Sequence, residues 1–583
     1  MNKINAIILS LFAAVIYVCY GVVHPEWFNY HEQYQLFMFG WDYLSEHLSY
    51  ASGMAVWLSE FFVQFYMFPY AGAAIWAGML VLIGLLVWRV SKIFGADDSH
   101  LPLSLLPSVL LAVYCGNIYV MMALPVALIV ALSFTLAYNR LPWGRRGLLQ
   151  VLLLPLVYWI VGYGVFVYAV LCLAIDRRHF SYDLFKTIMF LCLYAVELVL
   201  VIIIVGYTVM RQYPFIDIVC GVNYYRERLV VPSMQHVVAA GVVIVPLVMS
   251  LLRSCGRAVS IVEGVLAVIF FPLLMPVSHE KDTYSLLKID YLVRVHEWDD
   301  VIKYCEKNPP VNDMACTGLN LALAMKGQLA ERMFEFPQYG QNGLISMFAR
   351  DMVSCGITAE ACYYLGLVNS TLRYNYDTQA AIINCNMSGR FTSRIAEAYL
   401  LDGNYELARK YADMLRKTLY YRSWAGRLLD CCDDPSLIAQ NKRRARIMRF
   451  RLPKDQMFLL VGMDEMMMNL YNHCPDNILA LQYSLACDLL NVQMQKFVMA
   501  MSQVQSKVQA NGRLPKSYQE ALAYVYLTTT GSTQSMPDYI SQDVRELISE
   551  FDRQMMLQGN NPRPLQGNLA KTYWHYVVFA HNN

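Results

Sequence analysis

The sequence predicts an all-α protein in two parts, a polytopic bundle of about nine membrane spans over residues 1–278 and a soluble α-solenoid of helical repeats over residues 279–583. Three observations carry this. Hydrophobic residues make up 57% of the chain and charged residues 15%, against about 25% charged in soluble proteins. The apolar residues of the first half lie in runs of membrane-crossing length. Charge is dilute before residue 279 and dense after it: 14 Lys/Arg against 13 Asp/Glu, then 32 against 31. Net charge is +2, with no basic tail or stripe of the kind that binds nucleic acid.

Each span follows in order. Ile4–Val23 is apolar after a single Lys3. It is longer than a signal-peptide core and "VCYGVVHPEW" offers no cleavage site, so an uncleaved first span is expected. Further runs are Ala71–Trp88, Leu101–Cys115, Ile118–Tyr138, Leu148–Ile175, Thr187–Val209, Met234–Leu252 and Ala258–Pro276. "VGYGV" (Val161–Val165) interrupts the longest of these, so two short helices in a hairpin fit it at least as well as one span. Tyr50–Tyr70 carries Glu60 and ends at Pro69. A full span there would invert every later loop, so it reads as a re-entrant or interface-lying helix.

Cations set the expected orientation, because Lys and Arg collect in short cytoplasmic loops. With the hairpin counted and the N-terminus inside, Lys3, Arg89/Lys92, Arg140/Arg145/Arg146, Arg177/Arg178/Lys186 and Arg253/Arg257 all fall inside. Arg211, Arg226 and Arg228 fall outside, in one loop, and the first outer loop has no cation. The second half then lies outside, which in a bacterial inner membrane means the periplasm.

From His279 onward the pattern is amphipathic and helical. "YLVRVHEWDDVIKYCEKNP" places Trp298, Val301 and Ile302 on one face, "GLNLALAMKGQLAERMF" turns at Gly327, and "SRIAEAYLLDGNYELARKYADMLRKT" turns at Gly403. Ala396, Tyr399, Gly403, Tyr405, Ala408 and Ala412 make the last resemble a tetratricopeptide unit, in which small residues let two helices approach and aromatics fill the groove. Asn477–Leu490 and Ser517–Leu527 add two more amphipathic helices. Stacked helical repeats present a concave surface that usually binds protein. The fifteen cysteines lack C-x-x-C spacing and the second half holds an odd nine, so buried free thiols are expected rather than a disulfide framework.

There is no Walker loop, dinucleotide fingerprint, H-E-x-x-H or nucleophile elbow. No cofactor or metal is therefore expected. What remains is a set of ionisable groups on the expected outer face. Treated as a helix within an interfacial segment 27–48, Tyr30–Leu48 puts Tyr34, Phe37, Trp41, Leu44 and Leu48 on one stripe. Glu32, Gln35, Phe39, Asp42 and Glu46 form the opposite one. Such a helix lies on a membrane with its aromatic side down. Its polar side is either a solvated face or, with His31, the home of a carboxylate base. Arg226 and Arg228, with Arg211, would hold a lipid phosphate in bidentate forks, or would only touch anionic headgroups. Within the bilayer, Glu60, Glu197 and Glu263 are costly unless paired, protonated or wetted.

A short first span, an acidic aromatic outer loop with a surface helix, and then pairs of short helices resemble the membrane module of GT-C-type glycosyltransferases. The resemblance implies transfer of a sugar from a polyprenyl phosphate, with Glu32 the best match to the acidic outer-loop residue and Asp42 the second. The family's paired acidic motif is replaced here by "HPEWFNYHEQ". As a whole, the chain is similar to an uncharacterised family of bacterial multi-pass proteins that join such a module to helical repeats. "EWDDVIKYCEKNPPVND", "LNLALAMKGQLAERMFEFPQYGQNGL" and "LPKSYQEALAYVY" are its marks. The functional expectations are lipid-linked glycosyl transfer in envelope glycan assembly, a non-enzymatic scaffold whose repeats recruit envelope proteins, and, behind these, a transporter.

Overall fold

The computed structural model describes residues 3–179, 184–222, 224, 233–252, 254, 256–346, 354–382, 387–453, 462–509, 513–533, 536–559 and 563–580. Among these the protein is all-helical, with no strand. The chain divides into two compact units. The first is Met1–Tyr284 with two short later segments, Ile382–Gly389 and Met414–Ser423, and the second is the remainder. The first unit thus runs past the expected boundary after residue 278 and takes in two segments from the second half of the sequence.

In the first unit, α1 (Lys3–Val18) runs through a π-turn to Val23, followed by α2 (Pro25–Glu32), α3 (Trp41–Leu48), α4 (Gly53–Val63) and α5 (Pro69–Ile93). A 3-10 stretch, Asp98–Leu105, leads into α6 (Leu106–Cys115). Next come α7 (Ala123–Asn139), α8 (Trp143–Val161), α9 (Gly164–His179), α10 (Leu184–Thr208), α11 (Phe215–Cys220), α12 (Ser233–Leu251) and α13 (Arg257–Ser278). Six of these stretches are long and apolar enough to cross a membrane: Lys3–Val23, Pro69–Ile93, Asp98–Cys115, Ile188–Thr208, Ser233–Leu251 and Arg257–Ser278. Leu148–Ile175 is two helices rather than one span. Gly162 ends α8 at φ 52°, a conformation that favours glycine, and the Tyr168 hydroxyl returns across the hairpin to Gln150 Oε1 at 2.8 Å.

Hydrogen bonds gather the helix ends at two poles of this unit. At one, Asn5 Nδ2 donates to the Asp98 carbonyl at 3.0 Å, Ser260 Oγ to the Ser99 carbonyl and Arg178 to the Ile93 carbonyl. At the other, Tyr20 donates to the Ala112 carbonyl and Trp27 Nε1 to the Cys115 carbonyl, both at 3.0 Å. The Ser52 amide there donates to the Trp159 carbonyl at 2.9 Å, and the Met121 amide to the Tyr224 carbonyl at 2.8 Å. The first pole holds Asn5, Lys92, Arg146 and Arg178 in polar contacts. The loop Cys19–Phe68 at the second pole contains no Lys or Arg.

That loop departs from the expected single helix over Tyr30–Leu48. The chain leaves the helix at Gln33 and runs without helix to Gly40. The Leu36 amide donates to the Met387 carbonyl at 3.2 Å and the Phe39 amide to the Lys417 carbonyl at 2.8 Å. Long-range acceptors thus take the donors that helix would have used. The two projected stripes therefore do not exist: Gln35 and Glu32 are buried along with Tyr34 and Phe37, whereas Trp41 is 73% exposed.

The second unit takes in most of α14 (Lys281–Arg294), then α15 (Trp298–Lys307), α16 (Asp313–Met325), α17 (Leu329–Arg332), α18 (Ser354–Leu365), α19 (Val368–Ala381) and most of α20 (Gly389–Asp402) and α21 (Tyr405–Arg416). It continues with α22 (Arg422–Asp433), α23 (Lys442–Phe450), α24 (Met463–His473), α25 (Ile478–Leu490), α26 (Met494–Val508), α27 (Lys516–Thr530), α28 (Gln542–Gln558) and α29 (Tyr573–His575). Gly327 and Gly403 end their helices at φ 69° and 82°, so the turns expected at both are present. Ala396, Ala408 and Ala412 are fully buried where α20 meets α21, and Tyr399 stacks on Tyr411 with centroids 6.0 Å apart. Asn312, Asn441 and Asn477 cap α16, α23 and α25 with their side-chain oxygens. The cysteines whose side chains are described are free thiols, most of them buried.

Candidate functional site

The site expected from sequence gathers Glu32, His31 and Asp42 with Arg211, Arg226 and Arg228. The structure distributes these residues. Glu32 is buried at the end of α2, where its Oε1 accepts the Tyr421 hydroxyl at 3.0 Å within the same unit. His31 is fully buried, its ring 4.3 Å from that of Trp27. Asp42 stands exposed on α3. Arg211 is also exposed, its Nε bonded to the Tyr207 carbonyl one turn back. Arg226 and Arg228 lie outside the described residues.

What the loop Cys19–Phe68 builds instead is centred on Glu60. Residues of α3 are brought against α4, so that Glu60 Oε2 meets His47 Nε2 at 3.1 Å and accepts the Tyr43 hydroxyl. The same hydroxyl is 3.0 Å from the Leu36 carbonyl. His47 Nδ1 is 2.8 Å from the Tyr43 carbonyl, which can only accept, so Nδ1 carries a hydrogen. Nε2 faces a carboxylate oxygen, and a proton must lie between them as well. The pair is therefore imidazolium with carboxylate, or imidazole with carboxylic acid. Burial works against a charged imidazole, but the hydrogen bond and charge of Glu60 outweigh it and hold His47 above the ordinary histidine range. Burial, then Glu60, also pushes the Tyr43 hydroxyl well up.

Aromatic rings close the group off. Phe37 packs at 5.0–5.7 Å against Phe39, Tyr43, Trp57 and Phe61. Glu60 and His47 are 1% and 6% exposed, and Glu60 Oε1 has no hydrogen-bond partner among the described residues. The arrangement ties α3 to α4 through a buried hydrogen-bonded group. Sequence reading picked out Glu60 but missed its partners. Tyr43 and His47 are spaced i, i+4, one turn apart on a helix, and a buried carboxylate in a loop without cations has only His, Tyr and amides to pair with. Those two signals together point to His47.

The chain belongs to a family of unknown function, DUF6057, whose model matches residues 2–580. No curated protein and no solved structure matches it. In this DUF6057 chain the other two carboxylates of the apolar runs differ from each other. Glu263 Oε1 is 2.7 Å from His100 Nδ1 at the cation-bearing pole. Glu197 is half-buried on α10, and its Oε1 has no partner among the described residues. No group of three metal-ligating side chains occurs among the described residues.

The second unit carries a denser set of charges. Arg394 pairs with both Glu360 and Glu397 at 2.7 Å, and Arg444 reaches Glu397 at 2.8 Å. The Arg394 guanidinium lies 3.8 Å over the Tyr363 ring. Arg390 closes a second buried pair on Asp290 at 2.8 Å.

Proposed function

We propose that this protein is a multi-pass scaffold of a bacterial inner membrane, with nine spans, a cytoplasmic N-terminus and a periplasmic unit of tetratricopeptide-like repeats that holds an envelope protein. The observation that carries the non-catalytic reading is the use made of the first-loop carboxylates. Glu32 accepts Tyr421 and Glu60 accepts Tyr43 and His47, so both acids serve contacts that order the loop. The orientation rests on the cations: the loop Cys19–Phe68 has none, as expected of an outer loop. Exposed Phe39, Trp41, Phe68 and Tyr70 suit the aromatic belt of the outer interface.

The test compares full-length wild type, Glu32→Gln and a deletion in cells. Unchanged lipid-linked saccharide pools in both mutants, together with a cross-linked envelope partner captured by wild type, are expected. Accumulated lipid-linked donor in both mutants would refute the scaffold. For orientation, a cysteine placed at Gly40 should react with a membrane-impermeant thiol reagent in intact cells, and one at Gly95 should not.

One observation favours a second reading, polyprenyl-phosphate-linked glycosyl transfer. Asp42 is exposed on α3 beside exposed Trp41, free of the contacts that hold Glu32 and Glu60. In that case Asp42 would orient the acceptor and Arg211, Arg226 and Arg228 the lipid phosphate. Donor accumulation in Asp42→Asn, with Glu32→Gln unaffected, would select it.

A further inference from the structure

A pocket of about 390 Å³ opens in the second unit between α22 and α23. Trp424, Arg427, Asp430 and Cys431 line it from α22, and Gln440, Asn441, Arg443 and Arg444 from the other side. Its size is within the range of small-molecule sites, and its walls combine one aromatic face, two amides and three guanidiniums.

The charges do not cancel. Arg394, Arg427, Arg443 and Arg444 stand against Glu360, Glu397 and Asp430, four guanidiniums to three carboxylates. Arg444 is spent on Glu397 and, through Nη1, on Cys431 Sγ at 3.7 Å. Arg443 is different. It reaches Glu397 only at 4.0 Å, donates from Nη1 to His296 Nε2 at 3.1 Å, and leaves 37% of its side chain exposed. Arg427 has no carboxylate within ion-pair distance among the described residues. The N-terminal amides of α23 are already taken, since Asn441 Oδ1 accepts from Arg443 and Arg444 at 3.1 and 3.2 Å. The charged donors of the pocket are therefore guanidinium N–H groups, which match an oxyanion in a planar fork.

We infer that this pocket binds a small anionic sugar-like ligand, whose phosphate or carboxylate lies between Arg427 and Arg443 and whose body rests on Trp424, with Gln440, Asn441 and Asp430 within reach of hydroxyls. The site stands independently of whether the membrane unit scaffolds or catalyses.

The test uses the full chain in detergent at constant ionic strength, titrated calorimetrically with glucose 6-phosphate, glucuronate, inorganic phosphate and glucose. Saturable binding of glucose 6-phosphate or glucuronate but not glucose is expected, and whichever binds identifies the anion. Arg427→Gln and Arg443→Gln should each weaken it about tenfold or more, with unchanged thermal unfolding. Arg446→Gln, on an exposed position of α23 outside the pocket, should leave it intact. Two results would overturn the inference. One is no saturable binding of either anionic sugar. The other is equal weakening by Arg446→Gln, which marks general attraction to a basic helix. Phosphate binding as tightly as glucose 6-phosphate and indifferent to Trp424→Ala would overturn the role given to the indole.

Discussion

The buried carboxylates of the loop Cys19–Phe68 and of the Arg394 cluster in the second unit are neutralised by different chemistry. In the second unit Glu360 and Glu397 share Arg394, and Glu397 also takes Arg444. In the first, Glu60 is met by an imidazole and a phenol, and Glu32 by a phenol. The cause is the cation-free run Cys19–Phe68: a loop without Lys or Arg must satisfy its acids with groups that carry no permanent charge. The two solutions respond oppositely to pH. His47 is raised above its ordinary 6.5, so its contribution is fully present below about pH 6.5 and is lost as pH rises through the raised value. Burial raises Glu360 and Glu397, but the facing guanidiniums outweigh it and hold both below their ordinary 4.5. Their contribution is present above pH 4.5 and is lost as pH falls through the lowered values.

The largest effect should come from removing the permanent cation. Arg394→Met strands buried Glu360 and leaves Glu397 with Arg444 in place of two close guanidiniums, and is expected to cost about 3–5 kcal/mol. Hydrogen exchange should then rise across α18 and α20, with α3 and α4 unaffected; equal loosening of both regions would break the distinction. Glu520 tests whether burial alone decides. It is 1% exposed, with Lys516 only at 3.7 Å. Burial, partly offset by Lys516, pushes it up to about 7. An acid raised in this way binds protons in the folded state, so it destabilises as pH rises from 4.5 to 7. Glu520→Gln, which keeps an acceptor for the Tyr573 amide, should raise stability by about 1–3 kcal/mol at pH 8. The gain should fade towards pH 5 in thermal unfolding, and a constant gain would show that burial is not the cause.

Glu60→Gln retains an acceptor for Tyr43 but dissolves the pair with His47. We expect a loss of about 1–2 kcal/mol at pH 6, seen as faster exchange in α3. The loss should shrink as pH rises through the raised value of His47, where its imidazolium gives up its proton. The smallest effect is Tyr421→Phe, which removes one hydroxyl from Glu32, about 1 kcal/mol. A protection loss confined to residues near Glu32 and Phe39 would confirm that neutral donors hold this loop piecemeal.

The broad plan was readable in the chain because it depends on local properties. The break at Gly162 sits inside "VGYGV", and the turns at Gly327 and Gly403 are glycines that the backbone places at positive φ. The loop was misread for the opposite reason. Tyr30–Leu48 has helical periodicity, yet the amides of Leu36 and Phe39 go to the carbonyls of Met387 and Lys417, more than 350 positions away. No pattern within nineteen residues can reveal such acceptors.

By itself, then, the sequence determined an apolar helical half, a charged helical half, and which loops hold cations, since span length and charge placement are set by neighbours along the chain. Only the tertiary structure decided which carboxylates are buried, that Glu60 is answered by His47 and Tyr43, that Glu32 is answered by Tyr421, and that Arg427 and Arg443 face one pocket. Burial and pairing depend on residues far apart in sequence, because a side chain's partner is chosen by packing.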